Sequence, residues 1–127
     1  MIGYTSVGTN ALKRSADFYD TILGMLGATR TMEMDDFIVW GTPDGSSNFS
    51  IHIPENGATA TVGNGTMIAL SVQSPEQVAA VHAKAIELGS EDCGAPGPRH
   101  GASGFYAAYF RGLDGNKLQL HCMTSPA

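Results

Sequence analysis

Charge is scarce in this chain: Asp, Glu, Lys and Arg together make up 15% of its 127 residues. The seven Lys and Arg are scattered, no basic run forms, and the formal net charge is −5. That argues against nucleic acid as a partner, since neutralising phosphates takes a clustered basic surface. Long apolar runs are missing too: none approaches the roughly 18 residues that a membrane-spanning helix needs, and no leader-like segment opens the chain. No membrane partner is expected, and the expected location is cytoplasmic. Cysteine is nearly absent. Two thiols, Cys93 and Cys122, are too few for a disulfide framework, and in an intracellular-looking chain they are expected to stay free. What remains is 43% hydrophobic and of single-domain length, enough to bury about two-thirds of the unfolded surface.

The chain repeats itself. Residues Tyr4–Ala28 are echoed about 63 positions later by Met67–Ser90. Pro43-Asp44-Gly45 followed by Phe49-Ser50-Ile51-His52-Ile53 is echoed by Leu113-Asp114-Gly115 followed by Leu118-Gln119-Leu120-His121-Cys122. Two copies are too few for a solenoid, so a closed pair with pseudo-two-fold symmetry is expected. One domain, 1–127, then divides into repeat one (1–53), a linker (54–65) rich in Gly, Ala, Thr and Asn, and repeat two (66–127).

Each repeat reads as βαβββ, an α+β fold. A helix is predicted from Leu12 to about Leu23, with Asn10 as cap and Gly24 as stop. A second starts after Ser74, with Pro75 in the first turn and Gln77 completing a capping box; Gly89 ends it. Strands are predicted at Ala28–Met34, Phe37–Gly41 and Phe49–Ile53, then around Glu91–Cys93, Phe105–Arg111 and Lys117–Cys122. Gly94–Gly104 is the longest irregular stretch expected.

Alternation along the strands assigns the faces. Phe49, Ile51, Leu118 and Leu120 belong under the helices. Tyr4, Ser6, Ser50, His52, Met67, Ser71, Gln119 and His121 belong to the other face, which is free to curl into a cup.

The segments Val7–Ser15, Phe18-Tyr19, Leu23-Gly24, Ser74–Val78 and Tyr109–Gln119 resemble the vicinal oxygen chelate superfamily of glyoxalases, extradiol dioxygenases and fosfomycin and bleomycin resistance proteins. The resemblance covers nearly the whole chain. It implies paired βαβββ modules forming a curved mixed sheet cup with helices on the outer face, and a homodimer. In the metal-dependent members, four side chains from the first and last strand of each half hold a divalent ion. Carried over by position, they fall at Tyr4, Met67, Ser50 (His52 if the register slips) and Gln119, where the family uses His, Gln and Glu. None of the twelve carboxylates falls on an inward position of those strands, so the metal-bound glutamate base of a glyoxalase-type isomerisation is missing.

Three readings follow. The first is a small-molecule binding protein, of the glyoxalase/bleomycin-resistance kind, without the standard metal and with no cofactor. The second is a lyase, isomerase or dioxygenase whose divalent metal sits on His52, His121 and Gln119. The third is an interaction module with a self-filled cup. Whether the chain is an enzyme stays open. Candidate acid–base residues are His52, His121 and Tyr4, imidazole being the group that titrates near neutrality. Candidate ligand contacts are Ser50, Met67 and Gln119, the aromatic walls Trp40 and Tyr106 with Tyr109, and Arg99 and His100 in a glycine-flanked loop, Arg99 being suited to a carboxylate or phosphate. His82 is read as structural.

Overall fold

A computed structural model of the chain describes residues 1–101 and 103–124. The element order is β1 (Tyr4–Gly8), α1 (Leu12–Gly24), β2 (Thr29–Met34), β3 (Phe37–Gly41), β4 (Asn48–His52), then β5 (Ile68–Ser71), α2 (Pro75–Glu87), β6 (Glu91–Pro98), β7 (Phe105–Arg111) and β8 (Lys117–Met123). The βαβββ repeat is thus present twice. Its two sheets share one topology, β1-β4-β3-β2 and β5-β8-β7-β6. In each, the first and last strands of the repeat pair in parallel and the remaining neighbours are antiparallel.

The chain divides into two compact units. The first is Met1–Asn64 together with Asp114–Asn116; the second is Gly65–Leu113 and the chain from Lys117 onward. Of the segment 54–65 read as a linker, 54–64 belongs to the first unit and Gly65 to the second.

In the first unit, α1 packs on β2, β3 and β4, covering the β3 and β4 residues of one parity. Tyr19 packs against Phe49 and Trp40, at ring-centroid distances of 4.8 and 5.9 Å. Val7 and Ile51 pair across β1 and β4, Ile51 pairs with Ile38, and all three are buried. In the second unit, α2 buries Val78, Val81, His82 and Ala85. His82 Nε2 lies 3.1 Å from Asp92 Oδ1, and Asp92 pairs with Phe110, which pairs with Leu118. That row marks the α2 side of the sheet and gives His82 its structural role.

Local departures from the sequence reading have physical causes. The N-cap of α1 is Ala11, with no side-chain cap. Asn10 instead binds both polar atoms of Ala60, Oδ1 accepting from its N at 2.6 Å and Nδ2 donating to its O at 3.2 Å. The helix continues through Gly24, and the chain reverses at Gly27 (φ +84°), where Ala28 N donates to Leu23 O at 3.0 Å. Gly89 (φ +110°) and Ser90 N to Ala85 O repeat that geometry after α2. The segment Gly94–Pro98, expected to be irregular, belongs to β6. Its Gly and Pro are tolerated because β6 is an edge strand, paired only with β7 and bulged there. Cys93 is exposed, Cys122 is buried, and both are free. No helix among the described residues is long and apolar enough to cross a membrane.

Candidate functional site

Each sheet has a face without a helix, and the strand register decides which side chains stand on it. In the first unit, Tyr4, Ser6, Ser50, His52, Phe37 and Val39 alternate with the residues packed on α1. Ser6 Oγ and His52 Nδ1 share a 2.6 Å hydrogen bond, and Tyr4 meets Phe37 edge-on at 6.4 Å. The Ser6 bond orients the imidazole ring. Ser50 has the right parity, yet it is fully buried and its hydroxyl donates to Thr5 O at 2.8 Å. It is therefore spent on the backbone.

In the second unit, Phe105, Ala107 and Tyr109 of β7 stand beside Met123, His121 and Gln119 of β8. Phe105 stacks on His121 with centroids 5.5 Å apart and planes 22° apart, and His100 leans on Phe105 from the loop, also at 5.5 Å. His100 holds a positive φ of 57°, which its short polar side chain tolerates better than most. Gln119 Nε2 donates to the Tyr109 hydroxyl at 3.1 Å. Arg99 and Lys117 both approach the Tyr109 ring, 5.5 and 5.4 Å from its centroid. The Nδ1 atom of His121 is buried without a hydrogen-bond partner among the described residues. A buried orphan of this kind is uncommon in folded proteins, because desolvation without a partner costs about 1–3 kcal/mol.

Two of the expected aromatic walls fall elsewhere. Trp40 has the parity of Phe49; it is 1% exposed beneath α1, with Nε1 donating to Asp20 Oδ1 at 2.9 Å. Tyr106 pairs with Cys122 on the α2 side, where burial raises the Cys122 thiol's pKa above its ordinary range and the charge of Glu76 adds to the effect. Met67 stands just before β5, partly exposed. Phe105 and Lys117 were not anticipated. Applying the alternation rule outward from His121 and Gln119 to the neighbouring strand would have found Phe105.

The positions that the resemblance assigns to metal ligands offer a phenol, a thioether, a hydroxyl committed to a carbonyl and a carboxamide that hydrogen-bonds a tyrosine. His52, the slipped-register alternative, has its Nδ1 engaged by Ser6. No group of three His, Cys, Asp or Glu side chains among the described residues is placed to hold a cation. Zinc, nickel or non-haem iron sites draw on imidazole and carboxylate donors, so these residues do not fit such an ion.

Comparison with known proteins gives a consistent family. The model of the Glyoxalase/Bleomycin resistance protein/Dioxygenase superfamily matches residues 1–120. The crystal structure of a glyoxalase/bleomycin resistance protein from Albidiferax ferrireducens T118 is similar, at 38% identity and a TM-score of 0.86 over 95% of this chain and 97% of that one. A glyoxalase/bleomycin resistance protein/dioxygenase family enzyme from Burkholderia phytofirmans PsJN shares the fold at 16% identity and a TM-score of 0.77, over 96% and 98% of the two chains. So does a glyoxalase-related enzyme from Fulvimarina pelagi, at 17% identity and 0.74, over 100% and 99%. No curated protein matches the chain.

Proposed function

The chain belongs to the glyoxalase/bleomycin resistance protein/dioxygenase superfamily, and from that premise we propose that it binds a small organic molecule on the helix-free face of its second unit, without the superfamily's divalent metal. The observation that carries this reading is His121, whose ring is stacked on Phe105 while its Nδ1 is buried and unpaired. A turn of that ring on ligand binding would bring Nδ1 to a donor or acceptor and recover the cost of its burial. Phe105, Tyr109 and His100 add aromatic surface, and Gln119 adds a polar group of fixed direction, the mixture common in small-molecule sites. The metal-free part rests on the donor chemistry at Tyr4, Ser50, Met67 and Gln119.

The test is a fragment screen by amide NMR on protein treated with a chelator, paired with elemental analysis of the protein as purified. Fragments are expected to shift the amides of Phe105, Tyr109, Gln119 and His121, with no stoichiometric divalent metal found. Stoichiometric Ni, Zn or Fe, or binding that appears only when metal is restored, overturns the metal-free reading. Fragments that map only to other surfaces overturn the location.

A further inference from the structure

We infer that the ligand of this face carries an oxyanion, a carboxylate or phosphoryl group, seated against Tyr109 and held by Arg99 and Lys117. The inference rests on the small-molecule reading above and names the chemistry of its ligand.

Three observations converge on it. The first is charge. In a chain of net charge −5, two cations gather at one aromatic ring, and neither has a carboxylate partner among the described residues. Lys13, Arg14, Arg30 and Lys84, by contrast, each have a carboxylate within 4 Å. An anion bound near both gains Coulomb energy from each and relieves their mutual repulsion.

The second is preorganisation. The Arg99 guanidinium is already anchored: Nη2 donates to Ala95 O at 2.6 Å and Nη1 to Pro98 O at 3.3 Å. It lies along β6 where Gly94 and Gly97 leave room. A Cβ on Gly97 would stand 3.1 Å from Nη1, and one on Gly94 would stand 3.4 Å from Nη2 and 2.8 Å from Tyr109 Cδ1. These glycines let a strand carry an arginine and a tyrosine flat against it. Two of the five guanidinium N–H groups are used on carbonyls, and the rest remain to bind a planar or tetrahedral oxyanion. The side-chain entropy that a surface arginine loses on binding is already spent here.

The third is hydrogen-bond direction. Gln119 Nε2 donates to the Tyr109 oxygen, so the phenol is an acceptor in that bond and keeps its own proton to give. That proton adds a third donor to the two cations that approach the same ring, and its bond to an anion would be of the charge-assisted kind. Phe105, His121 and His100 continue the same face with flat aromatic surface, which suits a head group carried on a planar body.

The experiment uses the full chain, isotopically labelled, titrated with benzoate, phenylphosphonate and the neutral isostere benzamide. Benzoate or phenylphosphonate is expected to shift the Gly94, Gly97, Tyr109 and Gln119 amides, with benzamide at least about tenfold weaker, and added salt is expected to weaken the acids but not the amide. Lys117→Gln and Tyr109→Phe are each expected to weaken the acids by about five- to tenfold, and Lys117→Gln to leave benzamide unchanged. Arg99→Gln gives the same loss, and Lys117→Gln keeps the test valid should that loop rearrange. Which of the two acids binds more tightly separates a carboxylate from a phosphoryl ligand. Equal binding of benzoate and benzamide at these amides overturns the oxyanion and leaves the small-molecule reading intact. Binding of none of the three overturns both.

Discussion

Asp20 shows how one carboxylate can organise a corner of the first unit. It accepts from Arg30 twice, Nη2 at 2.7 Å and Nε at 2.9 Å, and from the Trp40 indole at 2.9 Å. Arg30 also reaches Glu33 at 2.8 Å and stacks over the Trp40 ring at 5.9 Å. The hydrogen bonds from Arg30 hold the Asp20 carboxyl below the ordinary carboxylate range; partial burial opposes them and the Trp40 bond adds to them. Asp20→Ala leaves a buried indole N–H unpaired and is expected to destabilise by about 1–3 kcal/mol in urea unfolding. A folded-state pKa below the unfolded value means that the ionised form favours folding. That contribution is complete above an unfolded pKa of about 4 and fades as pH falls through the folded value. The stability gap between the native chain and Asp20→Asn should therefore narrow on acidification below about pH 4, and a gap independent of pH would remove the charge from the account. Trp40 itself could have been placed from the sequence. The alternation that sorted Phe49 from Ser50 applies equally to β3, and Trp40 pairs with Phe49. What could not be read is Asp20 as its partner, since neither residue type announces the other.

At the scale of elements, the two helices differ in how they begin, and this divides what local sequence can specify from what it cannot. Ser74 Oγ accepts from Gln77 N at 3.2 Å, and Gln77 Oε1 returns to accept from Gln73 N at 2.8 Å. The Ser74 cap was legible in a few consecutive residues, while the return bond from Gln77 falls on Gln73 N, one residue before the cap. Ser74→Ala is expected to cost about 1 kcal/mol, seen as a lower urea midpoint and faster amide exchange in the first turn of α2. Asn10 has the same residue-level signal before α1 but spends its side chain on Ala60, 50 residues away. Asn10→Ala should therefore speed exchange at the Ala60 amide and leave the first turn of α1 unaffected. The reverse pattern would restore Asn10 as a cap. β6 was hidden for a related reason. Pro96, Pro98, Gly94 and Gly97 have loop composition, and only the edge position in the β5-β8-β7-β6 order makes them acceptable in a strand. The glycines that obscured the strand are the ones beside which Arg99 and Tyr109 lie. Arg99 was therefore legible as a residue suited to a carboxylate or phosphate, while its place beside Tyr109 was concealed.

For the molecule as a whole, the repeat made the topology readable, because one βαβββ pattern found twice fixes the same strand order twice. The composition of the first unit was not readable, because it is discontinuous: Asp114–Asn116 belongs with Met1–Asn64. Asp-Gly-Asn reads locally as a hairpin turn, and Gly115 (φ +90°) is one. Its side chains do more. Thr9, fully buried, donates from Oγ1 to Asp114 Oδ1 at 2.8 Å across 105 residues of sequence, and Asn116 Nδ2 donates to Gly8 O at 3.0 Å. Arg14 Nη2 lies 3.7 Å from the same carboxylate, whose side chain is only 5% exposed. Burial, and then the charge of Asp114, raise the pKa of the Tyr19 hydroxyl, so that phenol stays protonated in the core. Removing either member of the Thr9–Asp114 pair leaves the other's share of a buried hydrogen bond unmade, though Asp114 keeps Arg14 and Thr9 keeps Ala11 N. Thr9→Val and Asp114→Ala are each expected to cost about 1–3 kcal/mol, and the double variant less than their sum by about 0.5–2 kcal/mol, as residues sharing one bond do. Hydrogen exchange supplies the spatial readout. Protection should fall at β1 and the start of α1, where Thr9 also accepts from Ala11 N at 3.0 Å, as well as at the 114–116 turn. If the two substitutions add without coupling, or if protection falls only at the turn, the turn closes its own hairpin and contributes nothing further to the first unit.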